Sequence, residues 1–105
     1  MAWSMLFIAG LLEIGWAIGL KYTEGLTRLV PSLLTILTMI ISFALLSYAL
    51  RSIPVGTGYA VWTGIGACGT LLFGMFFLNE SHDPIRVICI LVIIACIILL
   101  KFTAK

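Results

Sequence analysis

The stretch Val30-Pro31-Ser32-Leu33-Leu34-Thr35-Ile36-Leu37-Thr38-Met39-Ile40-Ile41-Ser42-Phe43-Ala44-Leu45-Leu46-Ser47-Tyr48-Ala49-Leu50 runs for 21 residues without a charge. A helix rising 1.5 Å per residue needs about 20 such residues to cross a hydrocarbon core of roughly 30 Å. Pro31 stands near the start, where its missing N–H does no harm. The pattern repeats on both sides. Upstream, Trp3–Leu20 is broken only by Glu13, and a polar loop, Lys21 to Arg28, follows it. Downstream, Arg51-Ser52-Ile53-Pro54 is a tight turn into Val55–Leu78, and Asn79-Glu80-Ser81-His82-Asp83-Pro84 separates that run from Ile85–Leu100. The uncharged part of the last run, Val87–Leu100, has only 14 residues. It spans if Arg86 and Lys101 extend their aliphatic stems toward the interface. The expectation is an all-α integral membrane protein. Residues 1–105 form a single transmembrane domain with helices near 3–20, 30–50, 55–78 and 85–102.

Composition agrees. Of the 105 residues, 63% are hydrophobic and 10% charged, where soluble domains average about 45–50% and about 25%. That excludes a soluble enzyme and a disordered tail. A net charge of +2, dispersed along the chain, excludes a nucleic-acid interface. No run alternates polar and apolar residues, which excludes a transmembrane β-barrel. The first run has no basic flank and carries a carboxylate in its middle, so it is not expected to be a signal peptide. A chain this short cannot enclose a large cavity alone, so a solute pathway calls for a partner chain.

Four spans put the N-terminus, the second loop and the C-terminus on one side, with Arg51, Lys101 and Lys105. The first and third loops share the other, with Lys21, Arg28 and Arg86. Orientation follows the Lys/Arg difference between sides, and here three face three. The expectation is that both orientations form and pair antiparallel.

Glu13 is the only charge deep within a span. Such residues are costly in hydrocarbon and mark ion or substrate paths. Gly10, Trp16 and Ala17 share its helix face. The second run carries a polar stripe of Thr35, Thr38 and Ser42. The third carries Gly56, Tyr59, Thr63, Gly66 and Thr70, with Trp62 beside them. One such hydroxyl alone would be read as bonding its own helix; three stripes and one acid suggest three helices around one polar cavity. Trp3, Tyr22 and Tyr48 lie at span ends, as interfacial aromatics do. Trp16 and Trp62 lie deeper, where a π face beside a carboxylate suits a cation, though packing bulk explains either ring equally well. Gly56, Ala60 and Gly64 have the small-xxx-small spacing of close helix contacts. Gly64-Ile65-Gly66 is a candidate hinge. The fourth run has no strong polar group and reads as packing against lipid or a second copy.

Cys68, Cys89 and Cys96 lie within spans and form no CxxC or Cys/His cluster, so neither a metal site nor a disulfide framework is expected. His82 is a solvated loop residue. No phosphate-binding loop, nucleophile–base spacing or dinucleotide fingerprint occurs. No cofactor, no enzymatic activity and no direct coupling to ATP are expected.

Glu13-Ile14-Gly15-Trp16-Ala17 in the first helix, and Pro54-Val55-Gly56-Thr57-Gly58-Tyr59-Ala60-Val61-Trp62-Thr63-Gly64-Ile65-Gly66-Ala67-Cys68-Gly69-Thr70 in the third, resemble the small multidrug resistance transporters, and within them the guanidinium exporter subtype. The broad-specificity drug exporters of that family usually lack the Trp after the glutamate. The resemblance covers the whole chain. It implies an antiparallel, dual-topology homodimer in the bacterial cytoplasmic membrane that exports guanidinium and small guanidinyl cations in exchange for protons. By the same resemblance, Glu13 of both protomers binds substrate or protons. Ser42 and Trp16 orient it by hydrogen bonding, Tyr59 gates the site from the partner chain, Trp62 walls it, and Gly10 lies beside it. Gly58 stands where the family more often has Ala, and Cys96 and Leu99 stand where glycines are expected in the fourth helix. Two other readings compete: a broad exporter of quaternary ammonium ions, and a non-transporting membrane subunit.

Overall fold

The computed structural model describes residues 1–80 and 82–103. Ser81 of the third loop and Lys105 of the charge count lie outside the described residues. The chain forms four helices: α1 (Ala2–Tyr22), α2 (Leu29–Ala49), α3 (Val55–Phe77) and α4 (Pro84–Thr103). Each is long and apolar enough to cross a membrane. The fourth runs a full 20 residues, because Pro84 starts it three residues before the uncharged segment and Lys101 rides on its last turn.

α1 packs against both α2 and α3, α2 and α3 also meet at Ser42 and Trp62, and α4 lies at the edge against α3. The Cα atoms span 42 × 34 × 17 Å, a flattened bundle. So flat a bundle leaves most side chains facing outward. The main core is correspondingly small: Leu6 and Ala9 of α1, Leu46 and Ala49 of α2, Ile53 of the turn, and Val61 and Trp62 of α3. In lipid an exposed aliphatic side chain costs nothing, and helices associate through close packing and hydrogen bonds instead.

Glycines create that close packing. At Gly10 a β-carbon would lie 2.7 Å from Ile65 Cγ2, and at Gly64 it would lie 2.9 Å from Ile97 Cδ1. At Gly69 it would overlap Ile14, and at Gly19 the hydroxyl of Thr35. Gly58, the departure from the family pattern, is buried, and a β-carbon there would overlap Leu50. Gly56 meets nothing within 4 Å, and Ala60 is exposed. Within one chain, therefore, only Gly64 of the small-xxx-small series is used in a helix contact. The α4 backbone packs against α3, through Ile93 and Ile97 at Gly64 and through the Cys68 thiol, 3.8 Å from the Ile90 carbonyl oxygen.

The loops are closed by their own polar groups. The Thr23 hydroxyl donates to the Leu20 carbonyl at 2.8 Å and accepts the Leu26 N–H at 3.1 Å. Gly25 has φ +74°, a left-handed position that glycine takes without strain. At the end of α3, the Gly74 carbonyl accepts the N–H groups of Leu78 and Glu80. Asn79 turns the chain there at φ 58°, as asparagine tolerates. Arg86 then pairs with Glu80 at 3.2 Å.

Candidate functional site

Glu13 lies at the middle of α1, about equally far from both ends. Its side chain rests on α3 at Gly66, where a β-carbon would overlap the carboxylate and lie 2.7 Å from Cγ. Gly66 thus allows a carboxylate to sit between two helices. The carboxylate oxygen Oε1 is shut off from solvent and has no hydrogen-bond partner. One turn along α1, the Trp16 indole nitrogen is also buried and unpartnered. Buried polar groups are nearly always hydrogen-bonded, so an unmatched acceptor and an unmatched donor on one helix face stand out.

A second feature joins α1, α2 and α3 beside this turn. The Ser42 hydroxyl donates to the Ala9 carbonyl at 2.7 Å and accepts the Trp62 indole N–H at 3.1 Å. In the helical ladder, the Ala9 carbonyl is also the acceptor for the Glu13 N–H. Ser42 therefore pins α2 to the backbone turn that carries Glu13, and fixes Trp62 at the same time. Trp62 packs among Phe43 at 5.4 Å, Tyr59 at 5.7 Å and Trp16 at 6.5 Å between ring centroids, and Phe43 lies 6.0 Å from Trp16. Trp62 is 5% exposed and Tyr59 56%. The cluster has a fixed inner ring and an outer phenol open to whatever packs against the protomer.

The expected site residues are therefore distributed as follows. Trp16, Ser42, Tyr59 and Trp62 meet in one cluster, and Glu13 lies one turn from Trp16. Gly10 packs on Ile65, and Gly66 sits under Glu13. Hydrogen bonds from Ser42 and Trp16 to Glu13 are not what this protomer contains. The Ser42 proton goes to Ala9, and the Trp16 nitrogen has no partner. The single Ser42 hydroxyl proton is committed to the Ala9 carbonyl, and its oxygen accepts the Trp62 N–H.

The three polar stripes do not surround one cavity within a single chain. Thr35 packs at Gly19, Thr38 bonds its own helix at the Leu34 carbonyl (2.8 Å), and Thr63 is exposed. The Thr70 hydroxyl is buried without a partner. α3 is one continuous helix through Gly64 and Gly66, which act here as packing notches. Sequence reading missed Phe43 and the Ala9 carbonyl. Phe43 is adjacent to Ser42, but nothing along the chain pairs it with rings on two other helices. Every carbonyl looks alike in sequence, so Ala9 carried no signal.

A model of the family described as Small Multidrug Resistance protein matches residues 1–103. The chain belongs to the small multidrug resistance family. It is similar to a protein of Citrobacter freundii named guanidinium exporter, 57% identical over 103 residues that cover 98% of each chain. Relatives bearing the same name in Salmonella typhi and Proteus vulgaris are 55% and 53% identical over 104 residues, covering 99% of this chain and 99% and 100% of theirs. With four spanning helices and this family membership, it is a multi-pass membrane protein.

Proposed function

We propose that this protein exports guanidinium and small guanidinyl cations across the bacterial cytoplasmic membrane, driven by protons entering in exchange. The observation that carries the reading is Glu13: a mid-membrane carboxylate, partly unsatisfied, beside an indole ring and with its place on α3 kept clear by Gly66. Relatives more than half identical over nearly their whole length bear the name guanidinium exporter. A guanidinium ion is planar and presents forked N–H donors that match a carboxylate bidentately. Like the Arg side chain, it stays charged up to about pH 12, so it cannot leave the cell as a neutral base.

The flattened shape supports a two-chain site. Gly56, Tyr59 and Thr63 of the third-helix stripe are open on the protomer surface, and the Lys/Arg count gives no preferred orientation. An antiparallel pair would bring two Glu13 carboxylates into one cavity, titrating as a coupled pair. The pair holds protons or one cation but not both, which is sufficient for exchange. Two protons in for one cation out moves one net charge inward, contributing about 2.3 kcal/mol per 100 mV. Alternating access then exchanges the conformations of the two protomers, with α3 bending at Gly64-Ile65-Gly66.

Currents on solid-supported membranes test the reading. Guanidinium gives a transport current, and a bulky quaternary ammonium ion gives little, because Trp16 fills space beside the acid. Larger currents from the quaternary ion than from guanidinium would assign the broad-specificity role instead.

A further inference from the structure

The two ends of the bundle match in Lys/Arg count but not in charge. At the end of the first and third loops, Glu24, Glu80 and Asp83 accompany Lys21, Arg28 and Arg86, so the side chains of that end sum to zero apart from His82. The other end has Arg51 and Lys101 and no acidic side chain among the described residues. There, each cation lies against an aromatic ring: Arg51 is 5.1 Å from the Tyr48 ring centroid and Lys101 5.8 Å from that of Trp3. At the same end a groove of about 670 Å³ opens between α1 and α4. The α1 and α4 backbones stay apart, and α3, which packs against both, forms its floor. The walls are apolar, with Phe7, Val61, Ile97 and Ile98 among them, and Trp3 and Lys101 stand at its outer end. From Trp3 to Ile8 the groove descends about 7 Å along α1 at 1.5 Å per residue. Its volume lies within the range of about 300–1,000 Å³ that holds a small organic ligand.

We infer that this groove binds an anionic phospholipid, with an acyl chain along its apolar walls and the phosphate at Lys101. Charge complementarity selects that occupant. A second copy would bring to this surface either the same acid-free basic end or the end whose charges cancel, and neither offers net negative charge to Lys101. An anionic headgroup does, and basic pockets between spanning helices bind such headgroups. The hydrocarbon that surrounds the flanking helices supplies the chain. Neither Glu13, Trp16, Ser42, Tyr59 nor Trp62 lines the groove, so it is separate from the proposed transport site.

Native mass spectrometry of the full chain, released from detergent micelles holding equal phosphatidylglycerol and phosphatidylcholine and no guanidinium, tests this. The wild type retains phosphatidylglycerol in preference. Lys101→Gln lowers that preference about fivefold, the loss expected of one Lys–lipid attraction at a membrane surface. Lys21→Gln, at the opposite end, leaves it unchanged. Ile98→Trp fills the groove from an exposed position and lowers retention of both lipids. Equal effects of Lys101→Gln and Lys21→Gln would overturn the inference in favour of diffuse surface charge. An Ile98→Trp variant that changes the monomer-to-dimer ratio without changing lipid retention would overturn it in favour of an interface between copies. Because no transported cation is present, failure here leaves the transport reading untouched.

Discussion

The Glu13 side chain lies on the Cα of Gly66, where any β-carbon would overlap its carboxylate. The overlap falls mainly on the flexible end of a side chain, so a methyl group there displaces the acid without breaking the helix contact. Gly66→Ala is therefore expected to fold and to insert normally, while binding guanidinium at least tenfold more weakly, which corresponds to about 1.4 kcal/mol. Tryptophan fluorescence titration of the purified protein checks it. Unchanged affinity would mean that Glu13 binds from a rotamer clear of α3.

Glu13→Gln keeps the shape of the side chain but removes both its charge and its exchangeable proton. It is expected to abolish guanidinium binding and proton-coupled flux together. Uptake into proteoliposomes under a pH gradient is the measurement, and more than a few per cent of wild-type flux would sink the mechanism.

The proposed competition of protons and guanidinium at the Glu13 carboxylates predicts a pH dependence. The protonated acid is neutral and cannot pair with a cation, so guanidinium affinity should fall as pH falls and level off once the pair is ionised. Isothermal titration across about pH 6 to 9, a range in which buried carboxylates titrate, reads this directly. A flat profile would require a proton carrier other than Glu13, and no other acid lies deep within a span.

The Ser42 hydroxyl accepts the Trp62 indole N–H at 3.1 Å. Ser42→Ala leaves that donor buried and unpaired, and should destabilise the protein by about 0.6 kcal/mol, the average for hydrogen bonds between membrane helices, and by no more than about 1.7 kcal/mol, the largest such value. Trp62→Phe removes the donor itself. In that background Ser42→Ala should cost less, and a double-mutant cycle of unfolding in mixed micelles gives the difference. Strict additivity of the two substitutions would show that the bond contributes nothing.

The three-to-three Lys/Arg division predicts dual topology. Adding two lysines after Lys105 should fix one orientation and reduce transport, and co-expression of a variant biased the other way should restore it. Cysteine labelling at an engineered loop position reports orientation; labelling of the unmodified protein from one side alone would falsify the idea.

The four helices were legible in sequence because hydrocarbon imposes a single rule. A run of about 20 apolar residues must satisfy its backbone internally and becomes a helix wherever it lies. Glu13 was legible for the same reason, since a charge in such a run is conspicuous without any knowledge of its neighbours. Helix ends were less so. α1 continues through Lys21 and Tyr22 because polar side chains at the interface do not stop a helix.

Which atoms meet was decided only by tertiary packing. The sequence marks Ser42 as a polar residue in a span, but not that its hydroxyl goes to Ala9 and Trp62 rather than to Glu13. It marks Gly66 as small, but not that the space above it belongs to a carboxylate one helix away. It supplies Phe43 no role, and the aromatic cluster shows one. Hydrophobicity is summed along the chain and can be read residue by residue. A hydrogen bond or a steric notch depends on the relative rotation and depth of two helices, and that is set by packing along their whole length.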